Sequence, residues 1–452
     1  MSHSSGIAHD PTAAHPDEGV AQLRAFPQLR ADNIHLDRPK TGLGRGIMVA
    51  GVIGIVAGLI AAYAKLGGAT WVQGIAAYHI GTMSVLAICL GALFFVLLFH
   101  LVNAGWTATV RRQFENVMCF LPYAFLLVLP TLLVEMRAPG NLFHWMNPAT
   151  HSDVLLQEKG SFFFFPLSIE SHGDGHGFVF PAFFAIRAIL YGVVWTYLTR
   201  RMWKLSIEQD RTGNRWLTAK ARFTAAWGIL IFALTTAFAA FDWLMSLDFR
   251  FFSTMWGIYF FAGAAFSSVA LVSLILLRLK AAGKLVGAVT EEHFHDLGKL
   301  MFAFTVFWTY IAFSQYFLIW YANIPEETSF FIYRKQGVWN AIGIFLIFGH
   351  FVAPFLILMS RIPKKHPTIL SVMTVWAVFV HVVDIFWIVR PMVYASSEDG
   401  GPGAASFITD IIIILGVLAL FAGYIISKVS SGPLLARNDP RMAEALEHRN
   451  YV

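Results

Sequence analysis

Ten apolar stretches, each about as long as a bilayer is thick, leave this chain few folds. A helix needs ~20 apolar residues to cross the hydrocarbon core. Segments at roughly 44–64, 76–103, 115–136, 178–200, 222–243, 254–278, 299–321, 337–359, 369–388 and 407–427 meet that length. In lipid every backbone N–H and C=O must be satisfied within the protein, which restricts spanning structures to helices and closed barrels. The expected fold class is therefore an all-α integral membrane protein of about ten helices. Residues 1–43 and 429–452 read as polar tails. Residues 44–428 read as one transmembrane domain, whose only long link is 137–177.

Composition agrees with this reading. The chain is 57% hydrophobic and 13% charged, whereas soluble domains carry about 25% charged residues. Its 42 Phe and 14 Trp suit lipid contact and interfacial belts. The net charge of +6 follows the membrane and does not point to nucleic acid. Of the 33 Lys and Arg, 25 fall on the N-tail, the even-numbered links and the C-tail, and 7 on the odd-numbered links. By the positive-inside rule both termini should be cytoplasmic. The link 137–177, the turn 244–253 and Pro325, Glu326 and Glu327 should then face outside. The polar start of the chain has no basic region followed by an apolar one, so no cleaved signal peptide is expected. Cys89 and Cys119 fall in apolar spans, and neither a haem c attachment motif nor a thiolate set for zinc or an iron–sulfur cluster is present.

Charges inside the spans are the strongest functional signal. Arg187 lies within FVFPAFFAIRAILYGVVWTYL, Asp384 within SVMTVWAVFVHVVDIFWIV, and Asp242 closes AAWGILIFALTTAFAAFDW. A charge at membrane depth costs ~2.5–3.5 kcal/mol even on the mildest scale, so it tends to face a bundle interior and mark a pathway or site. Arg187 is expected ~14 Å along its helix, with Asp242 and Asp384 as candidate partners. These three lead as proton-path candidates, followed by His381, Glu135, Asp248 and Lys299. Burial raises a carboxyl's proton affinity and a nearby Arg lowers it, so such groups can take up and release protons. The competing reading for Asp242 and Asp384 is a structural Arg–Asp staple. For Asp248 and Glu135 it is hydration at the interface.

The histidines are less specific. Membrane haem b needs His pairs at matched depth on two helices. His79 and His100 are 21 residues apart in sequence, about 31 Å along one helix, so they serve opposite faces. The spacing of His350 and His381 does not demand a haem, and proton-relaying or hydrogen-bonded histidine is preferred. The outer link holds His144, His151, Asp153, His172 and His176, but glycines surround the last two and no metal is expected. Trp308, Tyr310, Ser314, Gln315 and Tyr316 run to the outer end of span seven. Trp308, Gln315 and Tyr316 are quinone-binding candidates, because flat aromatic walls with a few polar groups suit a quinone ring. The competing reading is an interfacial aromatic belt. Span five ends in FDW (241–243) and span nine carries DIFW (384–387). Two related four-helix bundles, spans two to five and six to nine, would produce this weak echo.

Three tracts resemble one family: FDWLMSLDFRFFSTMWGIYFFAGA (241–264), HDLGKLMFAFTVFWTYIAFSQYFLIWYANIPEET (295–328) and VVDIFWIVRP (382–391). They are similar to the ActF subunits of bacterial alternative complex III, a quinol:electron-acceptor oxidoreductase. ActF belongs with the NrfD-like, polysulfide-reductase-type membrane subunits. The resemblance implies two four-helix bundles plus two further helices. It implies partners carrying haem c and iron–sulfur clusters, the NrfD-like paralogue ActC, small anchors and a terminal haem-copper oxidase. It also implies quinone or menaquinone as the substrate of the complex, a haem-free role for this chain, and a bacterial cytoplasmic membrane. The family pattern has an acid followed by Pro after Trp-Leu-Met-Ser. Here Asp248-Phe249-Arg250 stands instead, so Arg250 is a candidate partner of Asp248. Three rivals remain: a chain that itself binds quinol, a secondary transporter, and a pure scaffold.

Overall fold

The computed structural model describes residues 26–66, 70–167, 179–393 and 404–450. Ten helices in it are long and apolar enough to cross a membrane, and the chain has an all-α integral membrane fold. The spans are Thr41–Tyr63, Trp71–Leu101, Arg111–Arg137, Ala182–Thr212, Trp216–Leu247, Trp256–Ala281, Glu291–Ala322, Gly337–Met359, Pro367–Val393 and Phe407–Ser430. Each span coincides with one of the ten expected apolar stretches, give or take a few residues at the ends. Several helices outrun the apolar stretch on the side that carries the chain ends. The fourth reaches Thr212 instead of residue 200, and the seventh starts at Glu291 instead of residue 299, because polar helical turns continue beyond the hydrocarbon.

The second and sixth spans form the centre. Both are apolar around their whole circumference, which suits a helix surrounded by other helices. They pack directly on each other. At the crossing a Cβ on Gly91 would sit 2.1 Å from the Ala264 carbonyl oxygen, so only glycine allows this approach. The second span collects the third and fifth around it, with the fourth packed on both of these. The sixth collects the seventh and ninth, and the eighth closes against these two. The result is two four-helix bundles. The first and tenth spans pair with each other along Gly44, Gly51 and Gly58 on one and Gly416 and Gly423 on the other, then lean on the second span. Small residues that let backbones approach are a common basis of helix association in membranes.

The first and last described segments lie on one side, called here the terminal side. Lys284, between the sixth and seventh spans, bonds Asp37 at 2.5 Å, and the Leu434 N–H donates to the Ile34 carbonyl at 2.9 Å. The C-tail is not a loose polar extension. Asp439 pairs with Arg111 at 2.6 Å and with Arg441 at 3.1 Å. Gln113 donates to the Leu434 carbonyl at 2.6 Å, and His448 meets Asp296 at 2.5 Å. The tail thus straps the terminal ends of both bundles. Burial pushes the Asp439 carboxyl up, but Arg111 and Arg441 outweigh it and hold it well below the usual carboxylate range.

The far side is also built. The long link contains a helix, Val154–Phe164, started by the Asp153 side chain accepting from the Leu155 N–H at 3.0 Å. Trp145 is fully buried and stacks on Phe163 at 4.1 Å. With Phe143, Phe164 and Phe184 it makes an aromatic plug over the first bundle. His172 and His176 lie outside the described residues. A second short helix, Pro325–Arg334, lies between the seventh and eighth spans.

Candidate functional site

Each bundle buries one of the expected aspartates, in very different company. In the first bundle, Asp242 ends the fifth span and is completely buried. Arg187 of the fourth span grips it with two hydrogen bonds, Nε to Oδ2 at 2.9 Å and Nη2 to Oδ1 at 2.6 Å. Tyr191, one turn later, donates to Oδ2 at 2.7 Å. Arg187 Nη1 donates to the Phe162 carbonyl at 2.5 Å, and its guanidinium lies 4.1 and 4.5 Å from the Phe162 and Phe183 ring centres. Arg187 is five residues from the helix start at Ala182, about 8 Å deep. That is shallower than the ~14 Å expected, because the helix starts later than the apolar tract. A bidentate Arg–carboxylate pair with a third donor from Tyr191 is the strong, geometrically fixed kind of contact.

In the second bundle, Asp384 of the ninth span is 2% exposed. It is not Arg187's partner. Its carboxylate accepts from the Tyr259 hydroxyl of the sixth span and from Trp308 Nε1 of the seventh at 3.2 Å. Both donors are neutral. Trp308 stacks face to face on His350 of the eighth span, centroids 3.8 Å apart. His381 lies one turn before Asp384. A Cβ on Gly263 would meet His381 Nδ1 at 3.3 Å and Asp384 Oδ2 at 3.9 Å, so the glycine brings the sixth span against both. His350 and His381 are both fully buried, and neither ring has a side-chain hydrogen-bond partner among the described residues. His350 sits in a π-turn, Ile347–Val352, followed by Pro354. A proline cannot donate to the carbonyl four residues back and clashes with it. Here that carbonyl belongs to His350, and a one-residue widening of the helix accommodates it. Single-turn π segments are frequent at functional sites.

A carboxyl held only by neutral donors can gain or lose a proton without breaking an ion pair. The adjacent imidazoles supply further donors and acceptors. This cluster is therefore the chemically competent one, while Arg187–Asp242 has the form of a staple.

The remaining candidates scatter. Glu135 is fully buried rather than hydrated, and accepts from the N–H groups of Leu142 at 2.9 Å and Phe143 at 3.3 Å. It anchors the start of the long link. Asp248 is 7% exposed, so it too is not simply in water. The Arg250 guanidinium turns away from it to Asp153, at 2.9 Å. Lys299 lies at the terminal side beside Asp296 and Asn450, half-exposed and remote from both aspartate sites. Of the quinone-binding candidates, Trp308 is committed to Asp384 and His350, and Gln315 bonds Ser253 at 3.0 Å. Tyr316 lies on another face, against Phe331 and Lys335. The three do not converge on one wall, so they do not form a ring-binding site together. Among the described residues no group of three His, Cys, Asp or Glu side chains could hold a metal ion.

Several partners escaped the sequence reading. Tyr191 and Tyr259 each bond one aspartate; the four-residue spacing of Tyr191 from Arg187 is the signal that could have found the first. A further fully buried pair, Arg390–Asp410 at 2.7 Å, joins the ninth span to the tenth. At the terminal side Arg111, Arg112, Glu115 and Asp210 form a buried network with Asp439. No family model and no curated protein matches this chain.

Proposed function

We propose that this chain is a membrane subunit of a respiratory quinol:electron-acceptor oxidoreductase. Its own part is proton transfer at the Asp384 cluster. The observation that carries the proposal is the set of groups around Asp384: two neutral donors on its carboxyl and two fully buried imidazoles beside it. A buried acid without a cation in contact is expensive in a membrane and is kept where protons move. The ActF resemblance of tracts 241–264, 295–328 and 382–391 supplies the reaction class. The two-bundle architecture is compatible with it. In this reading electrons travel through haem c and iron–sulfur partner subunits, quinol is oxidised by the assembled complex, and the terminal side faces the cytoplasm of a bacterium.

The scaffold reading is favoured at two places. Arg187–Asp242 and Arg390–Asp410 are buried ion pairs, each joining two helices in register.

The test has two parts. A pull-down in mild detergent through a C-terminal tag, with the co-purifying chains identified by mass spectrometry, should recover haem c and iron–sulfur subunits. A chain recovered alone and monodisperse would overturn the respiratory assignment. In the recovered complex, Asp384→Asn should abolish most quinol turnover or its coupled proton release. Full retention of both would remove Asp384 from the proton route.

A further inference from the structure

The terminal end of the second bundle buries a cation that has no acceptor among the described residues. Eight Lys or Arg of those residues are buried. Six of them pair with a carboxylate. The seventh, Arg334 at the end of the short helix Pro325–Arg334, donates to the carbonyls of Phe330 at 2.7 Å, Ile388 at 2.5 Å and Trp387 at 3.0 Å. Lys364 is the exception. It lies between the eighth and ninth spans in the helix Arg361–Lys365, and is 7% exposed. Among the described residues it has neither a hydrogen bond nor an ion pair. Lysine is almost never this buried unless paired. A lysine that merely snorkels puts its ammonium in water.

The Lys364 stem crosses the seventh span at Gly298. A Cβ added there would lie 2.7 Å from Lys364 Cγ and 3.0 Å from its Cδ. The ammonium lies 5.8 Å from the Phe302 ring centre, one turn deeper. His295, Gly298, Lys299 and Phe302 follow the spacing of one helix face, so Lys364 meets the face that carries Lys299. His295 is 8% exposed, and its Nδ1 has no hydrogen-bond partner among the described residues. The acids of this corner are already committed. Asp296 pairs with Lys299 and with His448 of the C-tail, and Glu292 with Lys365 and Arg361. With Lys364, four cations stand against these two acids. Burial and the nearby Lys299 charge push the Lys364 ammonium down from its ordinary value. Phe302 is one turn inside the apolar stretch that begins near residue 299, so the ammonium sits where headgroups meet acyl chains. An apolar track continues from it: Phe302 packs on Phe355 at 5.4 Å, and Phe355 on Phe351 at 5.2 Å. Met359 and Ile362, at the same corner, are exposed.

We propose that Lys364, with Lys299 beside it, binds the headgroup phosphate of an anionic phospholipid whose acyl chain lies along Phe302, Phe355 and Phe351. The phosphate supplies the acceptor that Lys364 lacks within the protein. An anionic headgroup fits because cations outnumber acids at this corner, and the ammonium of a zwitterionic headgroup would add one more. Basic pockets between membrane helices bind anionic headgroups in this way. The site lies at the terminal side and does not depend on proton transfer at Asp384.

The test uses the full chain in mild detergent, with dioleoylphosphatidylglycerol as the probe and dioleoylphosphatidylcholine as the comparison. Acetylation of Lys364 by N-hydroxysuccinimidyl acetate is followed by peptide mass spectrometry. Only the free amine is acylated, and a phosphate on the ammonium holds its proton in place. Phosphatidylglycerol should slow acetylation of Lys364 about tenfold, equivalent to one unit of pH. Phosphatidylcholine should leave the rate within about twofold, and so should phosphatidylglycerol at Lys335 on the far side. Equal slowing by both lipids, equal slowing at both lysines, or no slowing at all overturns the proposal. Equal slowing by millimolar inorganic phosphate without lipid marks a free-anion site and overturns the lipid assignment. Native mass spectrometry supplies the second measurement. Lys364→Gln should bind phosphatidylglycerol about tenfold more weakly than the parent, and Lys364→Arg within about threefold of it. A monodisperse Lys364→Gln with undiminished binding overturns the proposal. If that variant does not fold, acetylation of the unsubstituted chain decides.

Discussion

The two bundles place an aspartate near the far end of their last helix and a tyrosine hydroxyl on its carboxylate, yet they differ in one partner. Asp242 has a bidentate arginine; Asp384 has a tryptophan N–H and two buried histidines for neighbours. The first carboxylate is balanced in charge by that arginine and accepts three hydrogen bonds. The second has no cation in contact and accepts two. A buried ion pair gives a fixed geometry, and breaking it by removing one partner is costly because the other charge stays buried alone. A carboxyl among neutral donors has no such lock. The comparison suggests that one architecture, used twice, supplies a rigid half and a proton-exchanging half.

The largest effect should come from breaking the lock. Arg187→Ala should destabilise the chain by about 3–5 kcal/mol, read as a fall in unfolding temperature and loss of monodisperse protein in detergent. The joint replacement Arg187→Met with Asp242→Leu should recover most of that loss, since no charge is then orphaned. If the joint variant is as unstable as the single one, Asp242 does more than staple. Asp384→Asn should cost at most about 1–2 kcal/mol, because the amide oxygen can still accept from Trp308 while its NH2 donates to the Tyr259 hydroxyl. Stability loss equal to that of Arg187→Ala would erase the proposed difference between the halves.

Gly263→Val probes the second half alone. Its side chain would crowd His381 and Asp384, so the expected cost is about 1–3 kcal/mol of strain, and proton-linked activity should fall further than stability does. The smallest effect should follow from acid. Asp439 is held below its unfolded value, so its contribution to strapping the tail is present above the unfolded pKa of about 3.9. It is lost only as pH falls through the still lower folded value. Proteolysis of the tail should therefore be unchanged from neutral pH down to about 4 and rise below it. Both bundles are held by this strap, so tail release in that acid range should not alter the contrast between them.

Much of the fold was legible in the chain, for a reason specific to membranes. Hydropathy marks each span, and the FDW and DIFW echo pointed to two bundles. Candidate residues were legible too, since Arg187, Asp242 and Asp384 stand out in apolar tracts. Their pairing was not. Both aspartates were open partners for Arg187, and only helix packing assigned Asp242. Arg334 and Arg390 counted as link charges, because sequence distance from a span says nothing about burial under a neighbouring helix. Hydration stood as the competing reading for the candidates Glu135 and Asp248 for the same reason. The C-tail read as a polar extension because the partners it binds, Arg111 and Asp296, are far away in sequence.

The sequence by itself determined how many helices form, that they lie in a membrane, and which polar residues lie within the apolar spans. Each of these depends on local composition and on the price of unsatisfied groups in lipid. Only the tertiary structure decided which buried carboxyl meets a cation and which meets neutral donors. That choice depends on which helix faces which, with close approach allowed at the crossings by the missing side chains of Gly91 and Gly263. The same residue type, in the same position of two similar bundles, thus meets an arginine in one and only neutral donors in the other.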